Sequence, residues 1–257
     1  MSEAPSVSRR PPILLALTSL LRADFSVMVR NRRALVLSML LPIILLITTN
    51  SSRATARLGG AFVIIGLCIA YGLLATGVLG YALTVARDRD QGVFQRLRVT
   101  PTPTWVLMAS RLGVQVVANF LIAIVVLVIG SRVHSVGISA GQYVLVLCVS
   151  ILGGAVFLAV GQALVGLTKS ADTVNAGGRI LFGALVFFGL FGASGALGST
   201  WESISQWTPV GVVMRLFAAV LHLSAWNQTD TLSLLACCGY IVACAAVGIR
   251  WFQWEAR

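Results

Sequence analysis

Long apolar runs separated by short charged stretches fill the chain from residue 34 onward. The runs are continuous and do not alternate with a period of two residues, which favours membrane-spanning helices over barrel strands. A helix needs about 20 apolar residues to cross roughly 30 Å of hydrocarbon. Six stretches are predicted to cross, at about Ala34–Thr49, Leu58–Ala86, Thr104–Gly130, Gln142–Leu167, Asn175–Leu197 and Thr231–Arg250. The pattern therefore predicts an all-α integral membrane protein.

Two segments depart from this pattern. From Ile13 to Arg33, apolar and basic positions follow helical spacing on different sides, which predicts an amphipathic helix lying in the membrane interface. A cytosolic helix packed on a partner is the alternative. Between Gly198 and Asn227 the apolar run is too short to cross, so a re-entrant or interfacial hairpin on the outer side is predicted. The expected organisation is a cytoplasmic tail and interfacial helix over residues 1–33, followed by a six-span permease domain over residues 34–257.

Composition narrows the class of protein further. Hydrophobic residues make up 58% of the chain, charged residues 11%, and the mean hydropathy is +0.92. The formal net charge of +11 could suit nucleic acid, but the basic residues flank apolar runs and form no face of a soluble domain, so nucleic acid is not an expected partner. The five cysteines all lie inside apolar runs and their number is odd, which argues against a disulfide framework or a zinc site.

The distribution of basic residues predicts the orientation. Six crossings put both termini on one side of the membrane, and all but four of the 19 basic residues lie on that side. The four on the other side are Arg53, Arg57, Arg132 and Arg215. Because Lys and Arg concentrate in cytoplasmic loops, both termini and the segment 87–101 are predicted to be cytoplasmic.

The segment 87–101 is the one long, charge-dense stretch between two strongly apolar runs. Arg87 to Arg98 can form about three helical turns, in which Val93, Phe94 and Leu97 make an apolar contact patch and Pro101 ends the helix. Such a helix, continuous with two spans, could transmit a push from a cytoplasmic partner. The alternative is an ordinary loop whose arginines fix the topology, and the residue pattern leaves both open.

A family resemblance adds to this interpretation. The run Arg87-Asp88-Arg89-Asp90-Gln91-Gly92, followed by Arg96-Leu97 and Val99-Thr100-Pro101, resembles the cytoplasmic coupling segment of ABC-2 type transporter permeases. The likeness extends to the interfacial helix, the six spans and the element Trp207-Thr208-Pro209 in the outer hairpin. Gln95 stands where the family usually has an acidic residue. The resemblance implies that the residues coupling the chain to an ATPase are Arg87, Asp88, Arg89, Asp90, Gly92, Phe94, Arg96, Leu97, Thr100 and Pro101.

The resemblance also implies partners and cargo. Two copies of a cytoplasmic ABC ATPase and a second permease chain, the same or homologous, are expected to complete an exporter in a bacterial cytoplasmic membrane, with the first and fifth spans facing the second permease. An amphiphilic cargo such as a drug, an antibiotic or a lipid-like molecule is expected. The chain itself is expected to be no enzyme and to bind no cofactor, since ATP and Mg belong to the ATPase. Consistent with this, its only lysine, Lys169, has Thr168 and Ala163 where a phosphate-binding loop needs glycines.

Three polar residues of the third span are candidates for a substrate path. Arg111, Gln115 and Asn119 are spaced at i, i+4 and i+8, so they share one face near the cytoplasmic end of the span. Polar groups at membrane depth are costly unless they face protein or water, which predicts a substrate entrance. A hydrogen-bonded seam between helices is the alternative.

Two alternative functions are an ion-gradient-driven transporter or channel and an intramembrane serine protease. A transporter or channel driven by an ion gradient would need an acidic residue in the middle of a span, and every Asp and Glu lies outside the predicted span cores. A rhomboid-like intramembrane serine protease is suggested by Gly192-Ala193-Ser194-Gly195 with His222 downstream. That chemistry requires a base within hydrogen-bonding reach of the serine, and His222 falls in the predicted hairpin.

Overall fold

The structure is a computed structural model that describes residues 13–30, 32–93, 104–222 and 226–251. Every regular element in these ranges is a helix. In chain order they are α1 (Ile13–Arg30), α2 (Arg32–Thr48), α3 (Ser52–Arg57), α4 (Ala61–Leu74), a π-helical segment (Ala75–Tyr81), α5 (Ala82–Asp90), α6 (Thr104–Val133), α7 (Ala140–Leu167), α8 (Ala171–Ser194), α9 (Ser199–Gln206), α10 (Pro209–His222) and α11 (Gln228–Arg250). The all-α membrane fold predicted from the sequence is confirmed.

Within the described ranges, five helical spans are long and apolar enough to cross a membrane, and the bent pair Ser199–Gln206 and Pro209–His222 would make a sixth if it formed one broken span. The five are Ala61–Asp90, which joins α4, the π-helical segment and α5 and is called the central span below, Ser110–Val133 of α6, and the whole of α7, α8 and α11. These five coincide with the last five predicted crossings. The first predicted crossing falls on α2, which has 17 residues. A helix of that length extends about 25 Å, less than the hydrocarbon core, so α2 is short for a crossing.

The helix bundle has two ends with different chemistry. The charged end of the bundle contains the end of the central span at Asp90, the loop between α7 and α8, and the end of α11 at Arg250. The hairpin end holds α3 and the connection from α8 to α11. Charged side chains that meet one another within the protomer occur at both ends, whereas the middle of the bundle is apolar apart from a few hydrogen-bonded groups.

Helices α9 and α10 form a bent pair, called the hairpin below. Their axes meet at 84° across a break at Thr208. Val213 packs against Gly153, deep along α7. The Leu221 carbonyl accepts a 2.6 Å hydrogen bond from Gln142 Nε2, close to the beginning of α7. Helix α10 therefore runs back along α7 to the hairpin end. The bend agrees with the predicted hairpin, and its re-entrant or interfacial place on the outer side stays a prediction.

Polar contacts fasten the hairpin to α11. Arg215 in α10 places Nε 3.2 Å from Asp230 Oδ1 and donates from Nη2 to Thr229 at 2.7 Å. The Tyr240 hydroxyl donates to the Trp207 carbonyl at 2.7 Å, at the bend of the hairpin. A charged side chain in an apolar helix is costly unless it is paired, so Asp230 makes Arg215 tolerable there.

The central span is the core of the bundle. In its most apolar window 83% of residues are buried inside the protein, and α2, α6, α7, α8 and α10 all pack around it. Its glycines allow backbones to touch: a Cβ added to Gly161 in α7 would lie 2.5 Å from the Gly77 carbonyl oxygen. Small residues at such crossings replace side-chain bulk with backbone contact.

Helix α1 lies against α6 at the charged end. The Ser110 hydroxyl donates to Asp24 Oδ2 at 2.5 Å, and Leu21 faces Gly113 across the contact. On the side away from α6 it exposes both apolar and basic side chains, Leu15, Phe25, Val29, Arg22 and Arg30. This arrangement suits a helix in the membrane interface. The predicted tail, residues 1–12, lies outside the described residues.

Replacing Gly161 with alanine is expected to destabilise the fold. The added methyl group would press on the Gly77 carbonyl, which belongs to the backbone and cannot rotate away, and overpacking of this kind costs about 1–3 kcal/mol. Gly183→Ala is the matched control, because that helical glycine has nothing within 4 Å of an added Cβ. The detergent-purified protein is heated and then run on a size-exclusion column. The midpoint, the temperature at which half of the protein is lost from the monodisperse peak, should be lower for Gly161→Ala only. Equal midpoints for the two variants would contradict the backbone contact.

Candidate functional site

The central span ends in a tight turn at the charged end. Helix α5 closes at Asp90, and Gly92 follows with φ +67°, a left-handed conformation that glycine adopts without strain. The Gly92 amide donates to the Arg89 carbonyl at 3.1 Å. The expected continuous helix from Arg87 to Arg98 is therefore wrong, because the turn at Gly92 leaves Arg87 to Asp90 as the last turn of the central span. The other predicted coupling residues, Phe94, Arg96, Leu97, Thr100 and Pro101, lie outside the described residues.

Arg89 is buried against the end of α7. Only 3% of the residue is exposed, and Nη1 donates to the carbonyl oxygens of Val165 at 3.1 Å and Thr168 at 2.9 Å. The last carbonyls of a helix have no partner within it and carry partial negative charge. Arg89 therefore supplies both the missing donor and the complementary charge at the close of α7.

Asp90 supplies an acceptor and a negative charge at the beginning of α8. Its Oδ2 accepts a 2.7 Å hydrogen bond from the Ala171 amide, in the first turn of α8, where the free N–H groups carry partial positive charge. Arg89 Nε lies 3.6 Å from Asp90 Oδ1. Two neighbouring residues of opposite charge thus hold both sides of the loop between α7 and α8. Arg89 and Asp90, with their backbone partners at Val165, Thr168 and Ala171, are called the charge clamp below.

A second ion pair ties the same turn to α6. Arg111 Nη2 lies 2.5 Å from Asp88 Oδ2, and both side chains are mostly buried. The neighbouring Ser110 binds Asp24 of α1. Helix α5 is therefore fixed to α6, α7 and α8 within three consecutive residues, and α1 joins through α6.

The predicted polar stripe of α6 forms contacts inside the protomer. Asn119 is 2% exposed, and its Oδ1 accepts hydrogen bonds from Thr76 Oγ1 at 2.9 Å and from Gln115 Nε2 at 3.4 Å. Its amide nitrogen lies against Gly154, where an added Cβ would collide with it. At Asn119 the stripe is the hydrogen-bonded seam of the alternative interpretation, joining α6, the π-helical segment and α7. A substrate entrance stays a prediction for Arg111 and Gln115, which are partly buried.

Several polar and charged side chains are exposed around the charge clamp. Arg87, Gln91, Lys169 and Asp172 are exposed around the charge clamp. Sequence reasoning named the charged residues but missed the clamp partners, because Val165, Thr168 and Ala171 contribute backbone atoms that leave no side-chain signal. Within the described ranges, His, Cys, Asp and Glu form no group of three that could hold a metal ion.

Neither the protease nor the ion-coupling alternative gains support from the described contacts. Ser194 donates to the Phe191 carbonyl at 3.0 Å, while the His222 ring packs edge-on against Phe62 with centroids 5.7 Å apart. The hydrogen bonds described for Ser194 thus include no histidine. The buried carboxylate of Asp230 is paired with an arginine and caps α11, so it is held by structural contacts.

Comparison with known families agrees with this architecture. The model of a family described as ABC-2 family transporter protein matches residues 19–250, which include the central span, the charge clamp, the hairpin and all five long spans. No curated protein matches the chain. The resemblance found in the segment 87–101 is thereby confirmed at the level of the family. With nearly all of its length matched, the chain belongs to the ABC-2 family of transporter proteins.

Proposed function

We propose that this ABC permease subunit is the membrane half of an ATP-driven exporter and forms the path for an amphiphilic substrate such as a drug, an antibiotic or a lipid-like molecule. Family membership implies association with an ABC ATPase. In this proposal two ATPase copies dock from the cytoplasm and carry ATP and Mg, and a second permease chain, identical or homologous, completes the path. The assembly lies in a bacterial cytoplasmic membrane with both termini inside.

The charge clamp is the observation that carries the proposal. The coupling segment 87–101 begins on the last turn of the central span, and within three residues that turn is bound to α6, α7 and α8. The central span is itself packed by five other helices. A displacement applied by a partner at Arg87 would therefore move several spans together, which is what coupling to a motor protein requires.

We further propose that residues 1–33 act as the tail and interfacial helix and residues 34–257 as one permease domain, with the hairpin on the outer side. The exposed faces of two helices support a contact with a second permease. Helix α2 exposes Val36, Leu40, Ile44 and Ile47, which recur at helical spacing on one side. In α8 only 22% of the most apolar window is buried within the protomer. Membrane lipid covers the remaining apolar faces.

Reconstitution tests the proposal directly. Vesicles containing the chain together with the ATPase that co-purifies with it should accumulate a fluorescent amphiphilic dye when ATP is present. Vesicles containing the chain alone should not accumulate the dye, even under a proton or sodium gradient. A non-hydrolysable ATP analogue is the control for nucleotide binding without turnover. Uphill movement by the chain alone would favour the ion-gradient alternative instead.

Cysteine labelling is expected to place the two ends of the bundle on opposite sides of the membrane. In a background with the five native cysteines replaced, Arg87→Cys should react with a membrane-impermeant maleimide only after cells are permeabilised, because the segment 87–101 is proposed to be cytoplasmic. Arg57→Cys, exposed at the hairpin end, should react in intact cells. Both positions are exposed, so side-chain access is matched. The reverse pattern would overturn the orientation.

Breaking the charge clamp is expected to lower the amount of substrate moved per ATP hydrolysed. In Arg89→Gln the shorter neutral side chain cannot satisfy the carbonyls of Val165 and Thr168 together, and hydrogen bonds to charged groups contribute about 1.5–3 kcal/mol each. The central span would then move without α7 and α8. Arg22→Gln, an exposed arginine of α1, is the control and should keep the wild-type ratio. A lower heat-inactivation midpoint with an unchanged transport-to-hydrolysis ratio would make the clamp a purely structural contact.

A further inference from the structure

Arg179 is the last charged residue of α8: Asp172 lies nearer the beginning of the helix, and every residue from Ile180 to Ala193 is apolar. It lies in the third turn of α8, and its Cα is about 12 Å along the helix from Ala171 at 1.5 Å per residue. The residue is exposed, and no hydrogen bond or ion pair joins it to any residue in the part of the chain that the structure describes. Arg89 and Arg215, by contrast, are paired with carboxylates. A charged group within a membrane span faces water, a partner or a ligand. We therefore ask what the neighbours of Arg179 on the helix surface could bind.

Arg179, Gly183 and Phe187 share one exposed face of α8. Their spacing of i, i+4 and i+8 puts them in line along the helix. Gly183 leaves an open notch, because nothing lies within 4 Å of an added Cβ, and Phe187 is 42% exposed above it. The face thus presents, in order from the charged end, a cation, a gap and an aromatic ring.

The aromatic part of this face extends toward the hairpin end. The rings of Phe187 and Phe191 have centroids 4.4 Å apart. Aromatic rings provide a large apolar surface that favours flat or hydrophobic ligands. The Cα atoms of Arg179 and Phe187 are about 12 Å apart along the helix axis, a distance that one elongated amphiphile can cover.

We propose that this face of α8 binds an anionic amphiphile. The guanidinium of Arg179 pairs with its carboxylate, sulfate or phosphate group, and the apolar body lies across Gly183 onto Phe187 and Phe191. Arginine suits such groups because its planar donors match two acceptor oxygens at once. The inference rests on the proposed function and narrows its substrate to molecules with an acidic group. A cationic amphiphile would meet like charge at the same position.

Binding to the full-length chain in phosphatidylcholine nanodiscs tests the site. The probe is dodecanoic acid carrying a fluorescent NBD group at the end remote from the acid, and its methyl ester is the neutral counterpart. Arg179→Gln should weaken binding of the acid about tenfold, the loss expected for one partly desolvated ion pair, and leave the ester unchanged. Arg179→Lys should retain most of the affinity for the acid. Gly183→Leu fills the notch and should weaken both probes.

Arg250→Gln is the matched control, since it removes an exposed arginine at the same end of the bundle, on α11. It should bind the acid as the unaltered chain does. Equal affinity of Arg179→Gln and the unaltered chain for the acid would overturn the proposal, as would an equal loss in Arg250→Gln, which indicates attraction by net charge. A change in oligomeric state in Arg179→Gln without a change in probe binding would mean that Arg179 holds the second permease chain and no ligand, and would also overturn the proposal.

Phosphatidylglycerol separates a substrate site from ordinary lipid contact. If the anionic headgroups of bulk lipid occupy Arg179, nanodiscs that contain this lipid should abolish the difference between Arg179→Gln and the unaltered chain, which would overturn the proposal. A difference that persists supports a site for the transported molecule. The binding measurement needs neither nucleotide nor ATPase. A failure to bind the probe would therefore not contradict the exporter proposal, and a failure of ATP-driven transport would not change the interpretation of the binding result.

Discussion

Arg89 and Asp90 are neighbours of opposite charge, and each meets the helix end of opposite partial charge. The close of α7 presents carbonyl oxygens and the beginning of α8 presents N–H groups, so the loop between them accepts the two charges in one order only. Because Arg89 is buried, water does not screen its contacts, and the carbonyls it binds would be costly to leave unpaired. The arrangement of the charged end, and with it the proposed coupling, depends on this electrostatic match.

Hydropathy was sufficient to predict the fold class and the five long spans, because length and continuity alone decide whether a helix can cross. It also predicted the hairpin, since the apolar run there was too short and contained Arg215. It could not show that α2 is too short to cross by itself, because the end of the helix at Thr48 is set by the backbone conformation and not by the apolar pattern. Nor could it place the turn at Gly92, because a glycine within a charged run is compatible with a helix until its backbone conformation is known.

The candidate site was only partly accessible from the sequence. Charge density identified the segment that begins at Arg87, but burial decides which of its residues a partner can reach, and Arg89 is inside the protomer while Arg87 is exposed. Helical spacing put the polar residues of α6 on one face without showing that Gly154 and Thr76 cover that face at Asn119. In the sequence, Arg179 is one of 19 basic residues, and no motif distinguishes it from the others. That it has no partner among the described residues is a property of the packed helices.

The π-helical segment from Ala75 to Tyr81 has a consequence for everything that follows it along the central span. A helix wound with more residues per turn changes the angular phase of the next helix, and one residue more or less corresponds to about 100° of rotation. The π-helical segment therefore sets the rotation of α5 about its axis, and with it the side of the helix on which Asp88, Arg89 and Asp90 lie. Rewinding Ala75–Tyr81 into a regular α-helix would turn Arg89 away from α7 and release the loop, with no covalent change.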